Sequence, residues 1–302
     1  MVNSKKNAKI FTHIWDKVKE PRGIVQIFHG MAEHAKRYAH FAAFLNQNGF
    51  IVYAHDHRGH GKTAGSTKAL GHIGTDGFNN ITKDAYAVTC RLKKRYPHLP
   101  VIILGHSFGS FVAQEYLTHH SDEIQGMILS GSGLQKGAAI TIGRLISTFQ
   151  YHFMDPYKTD KLMHFLSFYG YNKRFNDSHS SSRWLTSDLS EVEKYEQDIY
   201  CGTLFPIHFY YYFLKGLGNL YKPEKLSQIK KDLPLLILSG TMDPVGNYGE
   251  SVHKLYKMYT KLGMQSITLK LFTNGRHELL NERNRLEVYN SLLYWMNQVI
   301  AK

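Results

Sequence analysis

Val101-Ile-Ile-Leu-Gly-His-Ser-Phe-Gly-Ser-Phe-Val-Ala113 joins a short apolar run to a helix-like pattern through Gly105-His106-Ser107-Phe108-Gly109. Residues 101–104 are apolar at every position, not at alternate ones, as a strand covered on both faces requires. The helical pattern opens at Phe108, and small residues beside the serine let strand and helix pack closely. The stretch predicts a strand–turn–helix elbow with Ser107 at its tip, beyond the carboxyl end of a buried strand. A bare Gly-x-Ser-x-Gly is a weak pattern because its residues are common. The strand before it and the helix after it give it weight, against the plainer reading of a turn with an inert serine.

The rest of the chain repeats the rhythm. Short runs at Ile24–Phe28, Phe50–Ala54, Gly126–Leu129, Leu235–Leu238 and Ile267–Phe272 alternate with helix-like segments near 36–48, 79–96, 108–120, 247–262 and 281–299. Alternating strands and helices imply parallel pairing through right-handed crossovers, hence an α/β, doubly wound, mostly parallel sheet. Lys9–Trp15 alternates and is expected to form an antiparallel edge strand. Between Leu134 and Leu226 the strand pattern stops, replaced by aromatic helical segments such as Phe205-Pro-Ile-His-Phe-Tyr-Tyr-Tyr-Phe213. A core domain of 1–133 and 227–302 with a helical lid inserted at 134–226 is the expected organisation.

Composition narrows the class. Of 302 residues, 43% are hydrophobic and 20% charged, which suits a packed globular core. Lys and Arg number 37 against 24 Asp and Glu, a net charge of +13 that favours anionic partners. Only short basic clusters occur, such as Arg91-Leu-Lys-Lys-Arg95, so no nucleic-acid arm is expected, and weak peripheral contact with an anionic membrane is the remaining reading beside a merely solvated surface. Cys90 and Cys201 form no framework or ligand pattern. The polar start, Met1-Val-Asn-Ser-Lys-Lys6, has no apolar segment behind it, and no window resembles a membrane span, so a cytoplasmic location is expected.

A serine hydroxyl needs a base, and the base needs an orienting acid. Where a sheet of this kind carries a serine elbow, the acid follows a late strand and the base follows the last one. Leu235–Leu238 runs into Ser239-Gly-Thr-Met-Asp243-Pro244, and Ile267–Phe272 runs into Thr273-Asn-Gly-Arg-His277-Glu278. Asp243 and His277 are therefore the candidate partners of Ser107. With 18 histidines in the chain, position and not residue type selects His277. Donors for a developing oxyanion are expected at the N–H of Phe108, after the serine, and of Met31, in the loop His29-Gly-Met-Ala-Glu-His34 after an early strand. A helix beginning near Lys36 would add its dipole there. His29 reads as turn scaffolding. The groups His55-Asp56-His57 with His60, and His119-His120, lack the spacing of a zinc motif, so neither metal nor cofactor is expected.

Five blocks in this order, His29–His34, Ala54–Thr63, Gly105–Gly109, Ser239–Val245 and Gly275–Glu278, resemble the monoacylglycerol lipase / lysophospholipase group of α/β-hydrolases over nearly the whole chain. The resemblance implies the α/β-hydrolase fold, a triad of Ser107, Asp243 and His277, and an oxyanion hole at Met31 and Phe108. It also implies that Asp56–Gly61 shapes a loop without catalysing, and that a lipid or other small ester is cleaved through an acyl-enzyme. Two positions depart from the group: Ser110, where a further glycine often follows, and Lys62-Thr63, in place of a small polar pair. Two other functions stay open. One is a proline-type serine aminopeptidase of the same fold, for which Glu191, Glu193 and Glu196 could hold a free amine. The other is a non-catalytic module resting on membranes through its basic surface.

Overall fold

The computed structural model describes residues 2–3, 9–175 and 179–301. Seven strands form the sheet: β1 (Thr12–Trp15), β2 (Gly23–Phe28), β3 (Phe50–His55), β4 (Val101–His106), β5 (Gly126–Ser130), β6 (Leu235–Gly240) and β7 (Ile267–Phe272). Their order across the sheet is β1-β3-β2-β4-β5-β6-β7. All neighbours pair in parallel except β1, which runs antiparallel to β3 at one edge.

The expected edge strand is shorter than its pattern. Only Thr12–Trp15 joins the sheet, while Lys9–Ile10 pairs with Val2–Asn3. Phe11 interrupts the ladder because its N–H donates to Thr63 Oγ1 at 2.9 Å.

The unbroken apolar runs have a direct cause. Alternate residues of a strand point to opposite faces, and both faces are covered. Val25, Ile27, Ile102 and Leu104 pack on the side of α1 (Ala39–Gln47) and α10 (Arg285–Ile300). Ile24, Phe28, Ile103 and Leu129 face α2 (Gly77–Arg95), α3 (Phe108–His120) and α9 (Glu250–Lys261). Between β5 and β6 lie α4 (Ala138–Phe153), α5 (Lys161–Phe168), α6 (Leu189–Gln197), α7 (Ile207–Leu220) and α8 (Pro223–Leu226). Of these, α7 packs on α2 and α3, and α4 packs on α7.

The chain leaves β2 toward β3 and later returns to the other side of β2 as β4. The sheet therefore has its switch point between β2 and β4, where connections diverge and a crevice opens at the carboxyl ends. Among the described residues no helix is long and apolar enough to cross a membrane.

Candidate active site

Ser107 sits at that switch point, between the end of β4 and the start of α3. Its backbone is held at φ 51° and ψ −120°, outside the comfortable regions for an L-residue. The turn is locked from several sides. The Ser107 N–H donates to Ser130 O at 2.9 Å, and Ser110 N–H to Ser107 O at 2.8 Å. A Cβ at position 109 would stand 2.2 Å from Phe28 O, so only glycine lets α3 approach β2 this closely. Ser110, one of the two departures, is buried; its hydroxyl donates to Ser107 O (2.6 Å) and is hydrogen-bonded with Ser132 Oγ (2.8 Å). The extra hydroxyl thus braces the elbow.

The loops after β6 and β7 bring Asp243 and His277 together. His277 Nδ1 lies 2.9 Å from Asp243 Oδ1, and both residues are buried. Asp243 also accepts from Val245 N–H (2.9 Å) and Ser239 Oγ (3.0 Å). Burial works against its ionisation, but the facing imidazole and these donors outweigh burial and hold the carboxyl below its usual range. With Oδ1 against Nδ1, the carboxylate favours the tautomer that keeps a proton on Nδ1 and leaves Nε2 to accept one. That Nε2 is buried and has no hydrogen-bond partner among the described residues. The ring lies against the elbow: its centroid is 4.7 Å from that of His106, and an added Cβ at Gly131 would meet its Cε1 at 2.9 Å. Burial, then repulsion by His277, push His106 down to about 4, so a neutral ring backs the site near pH 7.

The loop after β2 completes one side. A Cβ on Gly30 would lie 3.3 Å from Ser107 Cβ. His29 holds this loop as scaffolding: its Nε2 accepts from His57 N–H at 2.9 Å, and its Nδ1 lies 2.8 Å from Gly30 O. The Met31 N–H has no hydrogen-bond partner among the described residues. Phe108 opens α3, so its N–H has no intrahelical carbonyl to serve. The helix expected near Lys36 opens at Ala35 as a 3₁₀ turn, Ala35–Tyr38, that runs directly into α1 at Ala39, and Asp56 Oδ1 accepts the otherwise unserved Ala35 N–H (2.9 Å). Asp56 Oδ2 takes Lys62 N–H (2.8 Å), and Thr63 Oγ1 donates to Asp56 O (2.7 Å). The Lys62-Thr63 departure is thus accommodated in a loop-shaping role.

Two features escaped the sequence reading. Arg37 bonds Glu278 through both terminal nitrogens (2.6 and 2.7 Å) and Glu33 at 2.8 Å, while Glu33 accepts from Gly30 N–H and Tyr38 OH. One largely covered guanidinium therefore ties the Gly30 loop to the His277 loop. Burial resists ionisation of Glu278, yet Arg37 prevails and holds it at about 2. The available signal was Glu33 and Arg37 at i, i+4 and a carboxylate directly after His277. The second feature is Trp184, whose ring centroid is 4.9 Å from that of His277 and whose carbonyl accepts the His277 N–H (3.3 Å). It comes from the connection between α5 and α6, and no local pattern marks it.

The other histidine groups are structural. His29, His55, His57 and His60 are buried together around Phe28 and Phe108, whereas His119 contacts Glu115 and His120 stacks on Tyr86 at 3.6 Å. His34, Asp198 and Cys201 bring potential ligand atoms within 4.8 Å, but His34 Nε2 and Asp198 Oδ2 already satisfy each other at 2.9 Å. The acids considered for an amine subsite lie on α6. Glu191 pairs with Lys194, Glu193 accepts from Gln197, and Glu196 accepts from Ser180.

Comparisons with known proteins agree with this architecture. A monoglyceride lipase of Rattus norvegicus is 25% identical over 295 residues, covering 97% of this chain and 86% of that protein. A monoacylglycerol lipase of Mycolicibacterium smegmatis is 36% identical over 124 residues, 41% of this chain and 42% of its own length. Among solved structures, a thermostable carboxyl esterase from Bacillus coagulans superposes with a TM-score of 0.90 at 28% identity, covering 98% of this chain and 96% of that one. A soluble variant of monoglyceride lipase from Saccharomyces cerevisiae gives 0.77 at 20% identity, covering 99% and 94%, a likeness of fold. The family described as Hydrolase_4: Serine aminopeptidase, S33 matches residues 19–284, nearly the whole sheet and everything inserted in it. With its switch-point serine elbow and these relatives, the chain belongs to that family, as a monoacylglycerol-lipase-like ester hydrolase of the α/β-hydrolase fold.

Proposed function

We propose that the protein releases a fatty acid from a monoacylglycerol or lysophospholipid through an acyl-enzyme on Ser107. The observation that carries the reading is the buried His277, held on Nδ1 by Asp243, with Nε2 unpartnered beside the elbow. Ser107 Oγ attacks the ester carbonyl while His277 Nε2 takes its proton. Asp243 steadies the resulting imidazolium, and the N–H groups of Met31 and Phe108 receive the oxyanion. Collapse breaks the bond to the alcohol, which leaves with the proton from His277. Water then attacks the acyl-enzyme, gives its proton to His277, and the acid departs as Ser107 regains it.

The helices of 134–226 serve as the lid in this reading. Phe149, Phe153, Leu162 and Phe165 on α4 and α5 are exposed, an apolar face suited to a lipid surface. An acyl chain gains roughly 0.8 kcal/mol per buried methylene, so aromatic walls reward long chains. The committed carboxylates of α6 leave little to hold a free amine, which favours ester over aminopeptide substrates.

The test is a panel of p-nitrophenyl esters of graded length, monoacylglycerols, lysophospholipids and a prolyl anilide, run with wild type and Ser107→Ala. Turnover of long-chain glycerides is expected, with kcat falling about 10⁴-fold or more in Ser107→Ala and folding intact. Activity retained in that variant removes the nucleophile. Turnover of the anilide alone makes the protein an aminopeptidase, and failure of Ser107 to react with a fluorophosphonate makes it a binding module.

A further inference from the structure

Three side chains of different chemistry meet where the turn after α6 touches the loop after β2. A ring nitrogen of His34, a carboxylate oxygen of Asp198 and the sulfur of Cys201 all lie within 4.8 Å of one another. His34 is buried, and the other two are half-buried. His34 and Asp198 are 164 residues apart in the chain, so no sequence spacing announces the group.

The backbone builds this arrangement. Asp198 ends α6, and the chain turns there: Cys201 N–H donates to Asp198 O and Tyr200 N–H to Asp198 Oδ1, both at 2.9 Å. Tyr200 thus occupies one carboxylate oxygen and leaves Oδ2 to face His34. Gly202 N–H (3.0 Å) and Tyr195 OH (3.2 Å) both donate to Ala32 O, which fastens the turn to the chain two residues before His34.

The surroundings carry surplus negative charge. Arg37 pairs with both Glu33 and Glu278, one cation against two anions. Asp198 adds a third carboxylate, and among the described residues no Lys or Arg is paired with it. The Cys201 thiol lies in the field of all four groups. A thiolate, an imidazole and a carboxylate together suit zinc, whereas calcium and magnesium take oxygen ligands. Around a tetrahedral zinc, such ligand atoms stand roughly 3.3–3.6 Å apart. The hydrogen bond of 2.9 Å between His34 and Asp198 does not close the site, because a cation takes the place of the shared proton and the pair opens by a few tenths of an ångström. The Asp198 side chain is 32% exposed, which gives the ion a way in and leaves room for water as the fourth ligand.

We propose that His34, Asp198 and Cys201 form a zinc site that clamps the turn after α6 to the loop carrying Met31. On binding, the thiol gives its proton to solvent and the imidazole keeps one, on Nδ1. None of the three belongs to the proposed triad, and the test uses no catalysis. Reduced full-length protein is titrated with Co²⁺, a spectroscopic stand-in for Zn²⁺, and then with Zn²⁺ itself. Wild type is expected to show a sulfur-to-cobalt charge-transfer band and the intense visible bands of tetrahedral cobalt, all bleached by Zn²⁺. Saturating Zn²⁺ is expected to raise the unfolding midpoint by about 5 °C. Cys201→Ser, a change of one atom, is expected to lose the charge-transfer band, and Cys90→Ser, at the exposed thiol, to keep it. His34→Gln and Asp198→Asn are each expected to weaken Zn²⁺ binding at least about tenfold.

Absence of the band in wild type, or its survival in Cys201→Ser, overturns the site, and its loss in Cys90→Ser puts the metal elsewhere. Full Zn²⁺ affinity in either His34→Gln or Asp198→Asn overturns the ligand set. Zn²⁺ bound at Cys201 with no rise in the unfolding midpoint removes the clamp.

Discussion

Two aromatic stretches between β5 and β6 look alike in sequence and are used in opposite ways. Along Phe205–Phe213, which leads into and runs along α7, the rings of Phe205, Phe209, Tyr210 and Phe213 are buried. On α4 and α5, Phe149, Phe153 and Phe165 are 61%, 75% and 56% exposed. The difference is position in the stack. α7 lies directly on α2 and α3, where Phe209 and Phe213 meet Phe108 and where Gly216 leaves room for Phe78. α4 is the next layer out and turns only one side to α7. Aromatic content therefore says that a helix has something apolar to cover, and the layer it occupies decides whether the rest of the protein covers it.

The sharpest way to break this comparison is inside α7. Phe209→Ala removes a ring held by Phe108, Phe205 and His60, and is expected to cost about 3–5 kcal/mol in urea unfolding. A loss below about 1 kcal/mol would mean that this layer is no tighter than the outer one.

Acid should find the same buried layer next. Burial pushes His55 and His60 down to about 4, and burial with neighbouring imidazoles lowers His29 and His57 as well, Asp56 only partly opposing. In the unfolded chain all four rings take protons near pH 6.5, whereas in the folded chain His55 and His60 do so only at about pH 4, and His29 and His57 also well below their usual range. Stability is thus flat above about pH 6.5 and falls as pH drops toward 4, by about 1.4 kcal/mol per unit for each such ring. Denaturation curves at pH 7.5, 5.5 and 4.5 measure the slope, and equal midpoints would show that the cluster is hydrated.

Trp184 belongs to neither stretch, being an aromatic of this region turned to the site. An indole face within 5 Å steadies a protonated imidazole, so Trp184→Leu is expected to lower kcat roughly fivefold, with Trp184→Phe recovering most of it. The smallest effect belongs outside. Phe153→Ser is expected to move stability by less than about 0.5 kcal/mol, while slowing hydrolysis of dispersed lipid and leaving a soluble short-chain ester untouched. A large stability loss there would place α4 in the core and abolish the contrast.

The alternation of runs and helices was enough to read the parallel sheet, because a strand covered on both faces has no choice but to be apolar throughout. The elbow, and the candidates Ser107, Asp243 and His277, were legible for a related reason: strand ends are easy to find in such a pattern, and side chains just past them share one rim. Where the signal was local, as in the glycines around Ser107, the reading was complete. Where partners lie far apart in the chain, it stopped. Arg37 finds Glu278, Trp184 finds His277, and His34 finds Asp198 only after the helices stack. Local periodicity encodes which face of an element is covered; what covers it depends on long-range packing, and that only the tertiary structure decided.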